Sequence, residues 1–214
     1  MTHIPGGMME IVIGIIALEN HLITETMFVA IVFGALSSSI LLGPFLSFAV
    51  NRIKQIGVLD YFFKRGIHAQ LKSNHKDQAI EELCQVAMFQ GGILPALDEI
   101  LKAVLSREQI MGTAIEEGIA LPHARLPNLK RPMIVFGRSI AGLEWNSPDG
   151  KAVHFIFLIL TPQGDEDTQV QILRAIAQVM RQERVREKIM LAEDSDKIWM
   201  IFQETFTSQQ IIKR

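Results

Sequence analysis

The 214-residue sequence contains a single cysteine, Cys84, so neither a disulfide framework nor a thiolate metal cluster can form within the chain. Residues 1–50 also lack lysine and arginine, and their only charged side chains are Glu10, Glu19 and Glu25. All 21 basic residues and all the other acidic residues therefore lie in 51–214, where they nearly cancel. Because no basic surface stretch is present, we expect no nucleic-acid partner.

The common cofactor and catalytic motifs are missing as well. The sequence has no Walker A, dinucleotide-binding or HExxH pattern. Residues 137–141 lack the last glycine of a nucleophile elbow and lie in a predicted strand. His123 and His154 have no spacing typical of metal ligands. We therefore expect neither a cofactor nor a metal.

The change in composition near residue 51 predicts a domain boundary, with membrane segments before it. Residues 27–50 are 24 uncharged positions, enough to cross a hydrocarbon layer of about 30 Å. Residues 8–18 form a shorter apolar run that cannot span alone. Arg52 and Lys54 follow the long run, so the positive-inside rule places the C-terminal part in the cytoplasm. One or two transmembrane helices are expected, with membrane attachment through 8–50.

Residues 52–72 form a basic connector. Its segment 58–63 is apolar and aromatic, and Lys64 and Arg65 follow directly. Two interpretations stay open: an amphipathic segment lying on an anionic membrane surface, or a short helix or strand packed between domains.

Residues 73–214 have the periodicities of an α/β domain. Helices are predicted over 77–90, 96–106, 169–182, 185–192 and 195–206, and strands over 132–140 and 152–161. The second strand is almost continuously apolar, which predicts a central strand buried on both faces.

Within this domain, residues 118–125 (GIALPHAR) hold His123 directly behind Pro122. Imidazole is a good nucleophile near neutral pH because much of it is uncharged near its pKa of about 6.5. A phosphoryl group on the ring would add nearly two negative charges, and arginine is the natural partner for that charge. Arg107 and Arg125 are the candidates. Transfer between histidines depends mainly on positioning and charge stabilisation.

At these residues the domain resembles enzyme IIA of the bacterial phosphoenolpyruvate-dependent phosphotransferase system, of the fructose, mannitol and nitrogen-regulatory type. The matching stretches are Arg107-Glu108, Gly112-Thr113, residues 118–125, Asp149-Gly150, the strand over 153–160 and the helix from Gln169. The resemblance covers about residues 75–210. It implies an α/β fold with a mixed central sheet flanked by helices.

The resemblance also implies roles for individual residues. His123 would accept phosphate from the histidine-containing phosphocarrier protein, Arg107 would hold that phosphate, and Thr113 would lie beside the site. Members of this family usually carry a second histidine at the start of the helix after the central strand. Gln169 stands at that place here, and glutamine can form hydrogen bonds but cannot share a proton or a charge.

Residues 6–46 resemble the last membrane segments of a monovalent cation:proton antiporter. The resemblance implies that residues 1–51 are an antiporter-like C-terminal transmembrane fragment, followed by the connector and the IIA domain from residue 73. Transport by this chain alone is not expected, because a lone span has no partner repeat and no midplane ion site.

Three functions follow as alternatives. The first is a membrane-tethered regulatory phosphocarrier that reports to an antiporter membrane domain. The second is a sugar-transport IIA component that passes phosphate to a IIB domain, which the lack of a IIB segment weakens. The third is an antiporter fragment whose cytoplasmic domain acts without phosphorylation, which the intact His123 motif weakens.

Overall fold

The computed structural model describes residues 6–37, 57–90 and 95–212. The chain divides into two compact units, Met1–Gln55 and Ile56–Arg214. The composition change near residue 51 therefore lies close to the boundary between them.

The N-terminal unit contains two helices in its described part, α1 (Gly6–Glu19) and α2, which covers residues 25–37. A Cβ on Gly14 would lie 3.2 Å from the Phe28 ring, so the glycine lets the two helices approach closely. Val12, Ile16 and Phe33 are more than half exposed. No helix in the described residues is both long and apolar enough to cross a membrane. Residues 38–50 of the expected span lie outside the described residues.

The described part of the second unit is built on one six-stranded sheet. Its strands are β1 (Phe62–His68), β2 (Ala114–Ile115), β3 (Ile119–Ala120), β4 (His123–Leu126), β5 (Met133–Leu143) and β6 (Val153–Pro162). The order is β1-β5-β6-β3-β2, and β4 also pairs with β6. β6 runs antiparallel to β5 and parallel to β3 and β4, so the sheet is mixed.

In the described residues of this unit, five α-helices cover the two faces of the sheet, and a short 3-10 helix (Val58–Asp60) precedes β1. The α-helices are α3 (Lys76–Phe89), α4 (Leu97–Ile110), α5 (Glu166–Met180), α6 (Glu183–Leu191) and α7 (Ser195–Ile212). α3 and α4 share one apolar core with the sheet, and α5, α6 and α7 share the other. Side chains of β6 alternate between the two cores: Phe157 enters the α5 side and Leu158 the α3 side. The prediction of a central strand buried on both faces is confirmed, as is the mixed sheet flanked by helices.

Two expectations need correction. Residues 62–68 belong to the sheet as edge strand β1, paired parallel to β5, and are not part of a connector outside the domain. Phe62 is fully buried there, so this segment is packed against the rest of the second unit. The helix expected from residue 169 begins earlier, at Glu166, because Gly164, with φ of 91°, reverses the chain directly after β6.

Candidate functional site

The stretch that carries His123 begins at a tight turn. Glu117 and Gly118 both have positive φ, at 67° and 72°. A side chain on Gly118 would place its Cβ 2.9 Å from the Ala152 carbonyl oxygen, so glycine is required by space as well as by conformation. The Gly118 carbonyl accepts from the His154 amide on β6, which fixes the start of the stretch against the central strand.

His123 is the first residue of β4, which pairs in parallel with β6 from His123↔Ile159 to Leu126↔Pro162. Side chains of a strand alternate between its faces. Ala124 and Leu126 are buried in the core beneath α3 and α4. His123 and Arg125 therefore project from the opposite face, the one covered by α5.

The contacts of the His123 ring define its tautomer. Nδ1 lies 2.9 Å from the Leu121 carbonyl oxygen, which can only accept, so Nδ1 carries the proton. The other ring nitrogen, Nε2, accepts from Nε of Arg107 at 3.1 Å. A neutral imidazole with its lone pair on Nε2 satisfies both contacts, so Nε2 is the nucleophilic atom of this site.

Arg107 lies in the last turn of α4, and a second contact fixes its guanidinium. Nη1 donates to the Met111 carbonyl at 2.8 Å. Because Nε binds His123, the arginine ties the end of α4 to the start of β4. The structure thus brings Arg107 and His123 together, and the phosphate-holding role expected of Arg107 stays a prediction.

Burial is the largest influence on the pKa of His123 and lowers it from its ordinary value, because the charged ring loses water. The Leu121 carbonyl opposes this shift, the charges of Arg107 and Arg125 add to it, and Glu108 opposes it. The net direction is downward, so the ring stays neutral, and therefore nucleophilic, throughout the neutral range.

Thr113 does not form a hydrogen bond with His123 within the described residues. Its amide donates to Oε2 of Glu108 at 3.0 Å, and its hydroxyl donates to the same oxygen. Oε1 of Glu108 accepts from the Trp145 indole at 2.9 Å. The Thr113 carbonyl in turn accepts from the Leu121 amide. Thr113 therefore supports the loop that ends at the site.

Sequence reasoning missed the part that Glu108 and Trp145 take in this network. Glu108 entered only as a member of a matching stretch, yet it is buried to 4% exposure with a carboxylate bonded on both oxygens. The signal available was the Arg107-Glu108 pair itself, since neighbouring residues at a helix end point to different sides.

Arg125 and Gln169 form a second pair near His123. Nε of Arg125 donates to Oε1 of Gln169 at 2.6 Å, and Nη1 donates to Oε1 of Glu166. Both acceptors lie in the first turn of α5, and Gln169 is buried. Gln169 has no hydrogen bond to His123 in the described part of the chain. Glu166 was not singled out in the sequence, since an exposed acid at a helix start has an ordinary capping explanation.

Exposed apolar side chains belong to the same elements. Ile110 and Met111 follow Arg107 at the end of α4, and Val170 follows Gln169; all three are at least 60% exposed. Among the described residues, no group of three or more His, Cys, Asp or Glu side chains could hold a metal ion.

Comparison with known proteins identifies the family of the chain that carries this site. The family model for the phosphoenolpyruvate-dependent sugar phosphotransferase system, EIIA 2, matches residues 60–205. The chain belongs to this family. The matched range includes β1, in agreement with the position of that strand in the sheet, and contains His123, Arg107, Thr113, Arg125 and Gln169.

Two curated relatives represent the range of family members. A "PTS system fructose-specific EIIABC component" of Bacillus subtilis is 31% identical over 66% of this chain, which spans only 22% of that relative. A "Nitrogen regulatory protein" of Bradyrhizobium diazoefficiens is also 31% identical, over 67% of this chain and 93% of the relative.

Solved structures share the fold. The nitrogen regulatory protein IIA-Ntr of Neisseria meningitidis has a TM-score of 0.61 at 22% identity and covers 66% of this chain and 96% of its own. A complex of enzyme IIAMTL with phosphorylated enzyme IIBMTL, from Escherichia coli, has a TM-score of 0.55 at 20% identity, covering 67% of this chain and 99% of its matched chain.

Proposed function

We propose that this chain is a phosphohistidine carrier that accepts a phosphoryl group on Nε2 of His123, acts in regulation and is tethered to a membrane. The observation that carries the proposal is the pair of contacts on the ring. The Leu121 carbonyl holds the proton on Nδ1, and Arg107 meets the lone pair on Nε2. The site thus combines a nucleophile of defined tautomer with a cation at the position where negative charge arrives.

The transfer is a displacement between two histidines. The N–P bond of the phosphocarrier's phosphohistidine breaks as a bond forms from its phosphorus to Nε2 of His123. The Nδ1 proton stays on the ring, where the Leu121 carbonyl stabilises the positive charge that develops. Arg107 releases Nε2 and turns its N–H groups to the phosphoryl oxygens, for which a guanidinium is well suited.

A regulatory role is supported by residue 169 and by one class of relative. Gln169 cannot share a proton with a phosphorylated His123, which favours a carrier that reports its phosphorylation state. The Bradyrhizobium relative is named a nitrogen regulatory protein.

The second candidate is a sugar-transport IIA component that passes phosphate to a IIB domain. The fructose-specific relative favours it, as does the complex of a IIA with a phosphorylated IIB on the same fold. The exposed apolar side chains Ile110, Met111 and Val170 would suit a docking partner in either case.

The phosphate-accepting step can be tested with phosphoenolpyruvate, enzyme I and the phosphocarrier protein, by measuring acid-labile label on the chain. We expect labelling of the wild type and none of His123→Gln. His154→Gln is the matched control, because Nδ1 of His154 also meets a backbone carbonyl, that of Ser139 at 2.8 Å, but no arginine within the described ranges binds its Nε2. Equal labelling of wild type and His123→Gln would refute the proposal.

Adding a panel of IIB domains to the labelled chain separates the two candidates. The regulatory proposal predicts that the label stays on His123 for much longer than a sugar-transport IIA takes to pass its phosphate to its own IIB domain in a control reaction. Rapid loss of label to one IIB domain would instead establish the sugar-transport alternative.

The membrane tether is supported by the N-terminal unit. Val12, Ile16 and Phe33 expose apolar surface on α1 and α2, and residues 1–50 contain no lysine or arginine. The contact of Gly14 with Phe28 is of the small-residue kind that membrane helix pairs use. These features favour insertion into lipid with the second unit on the cytoplasmic side.

Flotation with phospholipid vesicles tests the tether. Binding to neutral phosphatidylcholine vesicles should resist high salt, because apolar burial and not charge drives it. The double variant Val12→Asp/Phe33→Asp should stay in solution, whereas Met200→Asp, an exposed apolar position on α7, should float like the wild type. Wild-type chain that remains in solution would exclude the tether.

An antiporter membrane domain is the proposed receiver of the signal, on the resemblance of residues 6–46. The rate of cation-driven proton movement can be measured in vesicles that carry the antiporter. This rate should differ between vesicles with the phosphorylated wild-type chain and vesicles with the His123→Gln chain. Equal rates would remove this partner while leaving the phosphocarrier function in place.

A further inference from the structure

Arg125 lies two positions after His123 on β4. Residues i and i+2 of a strand project from the same face, about 6.6 Å apart along the chain. The strand pairing extends through both residues, His123↔Ile159 and Arg125↔Thr161, so the strand is regular between them. Ile159 belongs to the core that α5 completes. His123 and Arg125 therefore share the face towards the N-terminal turn of α5.

The two acceptors that hold Arg125 differ in kind. Glu166 has a side chain that is 66% exposed, so its ion pair with Arg125 is screened by water and contributes little on its own. Gln169 is 3% exposed and accepts from Nε of Arg125 at 2.6 Å. The buried amide is consequently the fixed anchor, and the exposed carboxylate is an accessory to it.

The orientation of the Gln169 amide follows from the chemistry of its partner. A guanidinium has only donors, so the amide oxygen must face Arg125 and the amide nitrogen must face away. With Nε and Nη1 occupied, Nη2 of Arg125 has no hydrogen-bond partner among the described residues. That edge of the guanidinium remains available to an anion on the neighbouring histidine.

We propose that Gln169 is a positioning residue for phosphoryl transfer at His123, and that it acts through Arg125 by fixing the guanidinium beside the ring with Nη2 free for the phosphoryl group. This inference rests on the proposed function, because it takes His123 as the acceptor. It gives residue 169 a task different from that of the missing second histidine: the residue holds a cation and does not itself meet the phosphate.

The charges around His123 agree with this placement. Arg107, Arg125 and Glu108 are the charged groups that act on the ring, and the positive charge of Arg125 contributes to the lowered pKa of His123. If Gln169 is what keeps Arg125 in place, removing the amide should weaken that contribution without any change at Arg107.

A double-mutant cycle tests the inference. The variants are Gln169→Met, Arg125→Met and the pair together, and the matched control is Gln171→Met, a half-buried glutamine of the same helix that has no hydrogen bond to Arg125 in the described part of the chain. The first readout is the rate of phosphate acceptance from the phosphorylated phosphocarrier protein. The second is the pKa of His123 in the unphosphorylated chain, measured by NMR titration.

We expect Gln169→Met to slow acceptance about tenfold, the effect of losing roughly one charge-assisted hydrogen bond from the transition state. The pair should be no slower than Arg125→Met alone. The pKa of His123 should rise in Gln169→Met and in Arg125→Met, whereas Gln171→Met should leave rate and pKa unchanged. Because a purely structural glutamine would not move the histidine's pKa through Arg125, the titration separates positioning from packing.

Additive effects of the two substitutions, or an unchanged pKa in Gln169→Met, would overturn the inference. Should Gln169→Met fail to fold, Arg125→Lys replaces it: lysine keeps the charge but has no Nε–H for Gln169, so acceptance should again slow about tenfold. If the pKa of His123 rises in Gln169→Met as expected but the chain accepts no phosphate, the proposed function is wrong and the positioning of Arg125 by Gln169 still holds. If His123 is labelled but the effects of the two substitutions are additive, only the positioning role of Gln169 is wrong.

Discussion

Arg107 and Glu108 are neighbouring residues of opposite charge at the end of α4, and they make different contacts at the site. Arg107 reaches the reactive nitrogen of His123, while Glu108 is buried and binds Thr113 and Trp145. The first contact places a cation beside Nε2 of His123, and the contacts of Glu108 hold the loop that supports the histidine. Two consecutive residues of the helix thus differ in their contacts: Arg107 binds the histidine ring, and Glu108 binds the supporting loop.

The lowered pKa of His123 predicts a pH profile for phosphate acceptance. Only the neutral ring has a free lone pair, so acceptance should stay constant from pH 8 down and fall only below about 6.5, the ordinary histidine value. Because the unfolded chain binds the proton more readily, the contribution of His123 to stability is also lost as pH falls below that value. Acceptance measured with a saturating donor checks the profile, and a midpoint above 6.5 would contradict it.

Replacing the buried carboxylate should destabilise the fold. In Glu108→Gln the amide nitrogen must face either the donors of Thr113 or the indole of Trp145, which leaves one buried donor unpaired. The expected loss is about 1–3 kcal/mol in the free energy of unfolding, measured in urea by tryptophan fluorescence. Glu99→Gln, on the exposed side of the same helix, should change it by less than about 0.5 kcal/mol.

Among the elements, α6 is tied to the sheet by a buried arginine of β5 in addition to its apolar core residues. Arg138 is 3% exposed, and it donates to the Ala69 carbonyl at 2.8 Å and to the carbonyls of Ile189 and Ala192 at 2.6 and 2.7 Å. These last two lie at the C-terminal end of α6, where carbonyls lack helical partners and a cation is favourable. Arg138 thus joins three segments that are distant in sequence.

Removing this guanidinium should loosen α6 without altering the proposed phosphate site at His123. Arg138→Met removes the hydrogen bonds from one buried guanidinium to the carbonyls of Ala69, Ile189 and Ala192, so the free energy of unfolding should fall by about 3 kcal/mol. Labelling of His123 should persist in conditions where the variant is folded. Arg174→Met, an exposed arginine on α5, is the control and should be close to wild type; a loss equal to that of Arg138→Met would show that general charge removal is responsible.

How far the elements could be predicted depends on how their residues are buried. β6 was recognisable because it is apolar on both faces, and α3 because its apolar residues recur with helical spacing. β1 was not, because Lys64 and Arg65 interrupt its apolar residues and its pairing partner β5 lies some seventy residues later. The tautomer of His123 was also inaccessible, because its contact with the Leu121 carbonyl depends on the local backbone conformation and the hydrogen bond from Arg107 depends on tertiary packing.

For the whole molecule, β1 decides where the second unit begins. Phe62 is fully buried, and its ring meets those of Phe157, Phe202 and Trp199 at centroid distances of 6.3, 5.2 and 5.7 Å. A boundary at residue 73 would remove this strand and open the core beneath α7. The boundary at residue 56 keeps it.

Truncation tests the boundary. A chain of residues 56–214 should unfold cooperatively in urea, whereas residues 73–214 should not, because loss of Phe62 alone is worth about 3–5 kcal/mol in a packed core. The shorter chain should bind a hydrophobic dye and lose near-UV circular dichroism. Cooperative unfolding of residues 73–214 would show that β1 is dispensable.

The central claim is that Nε2 of His123 carries the phosphoryl group, since the Leu121 carbonyl holds the proton on Nδ1. The most direct test is phosphorus–nitrogen correlation NMR on the chain labelled with ¹⁵N-histidine and phosphorylated by the phosphocarrier protein. The structure predicts a single phosphohistidine, at residue 123, with the phosphorus bonded to Nε2 and the proton on Nδ1. A bond to Nδ1, or a phosphoryl group on any other residue, would contradict it.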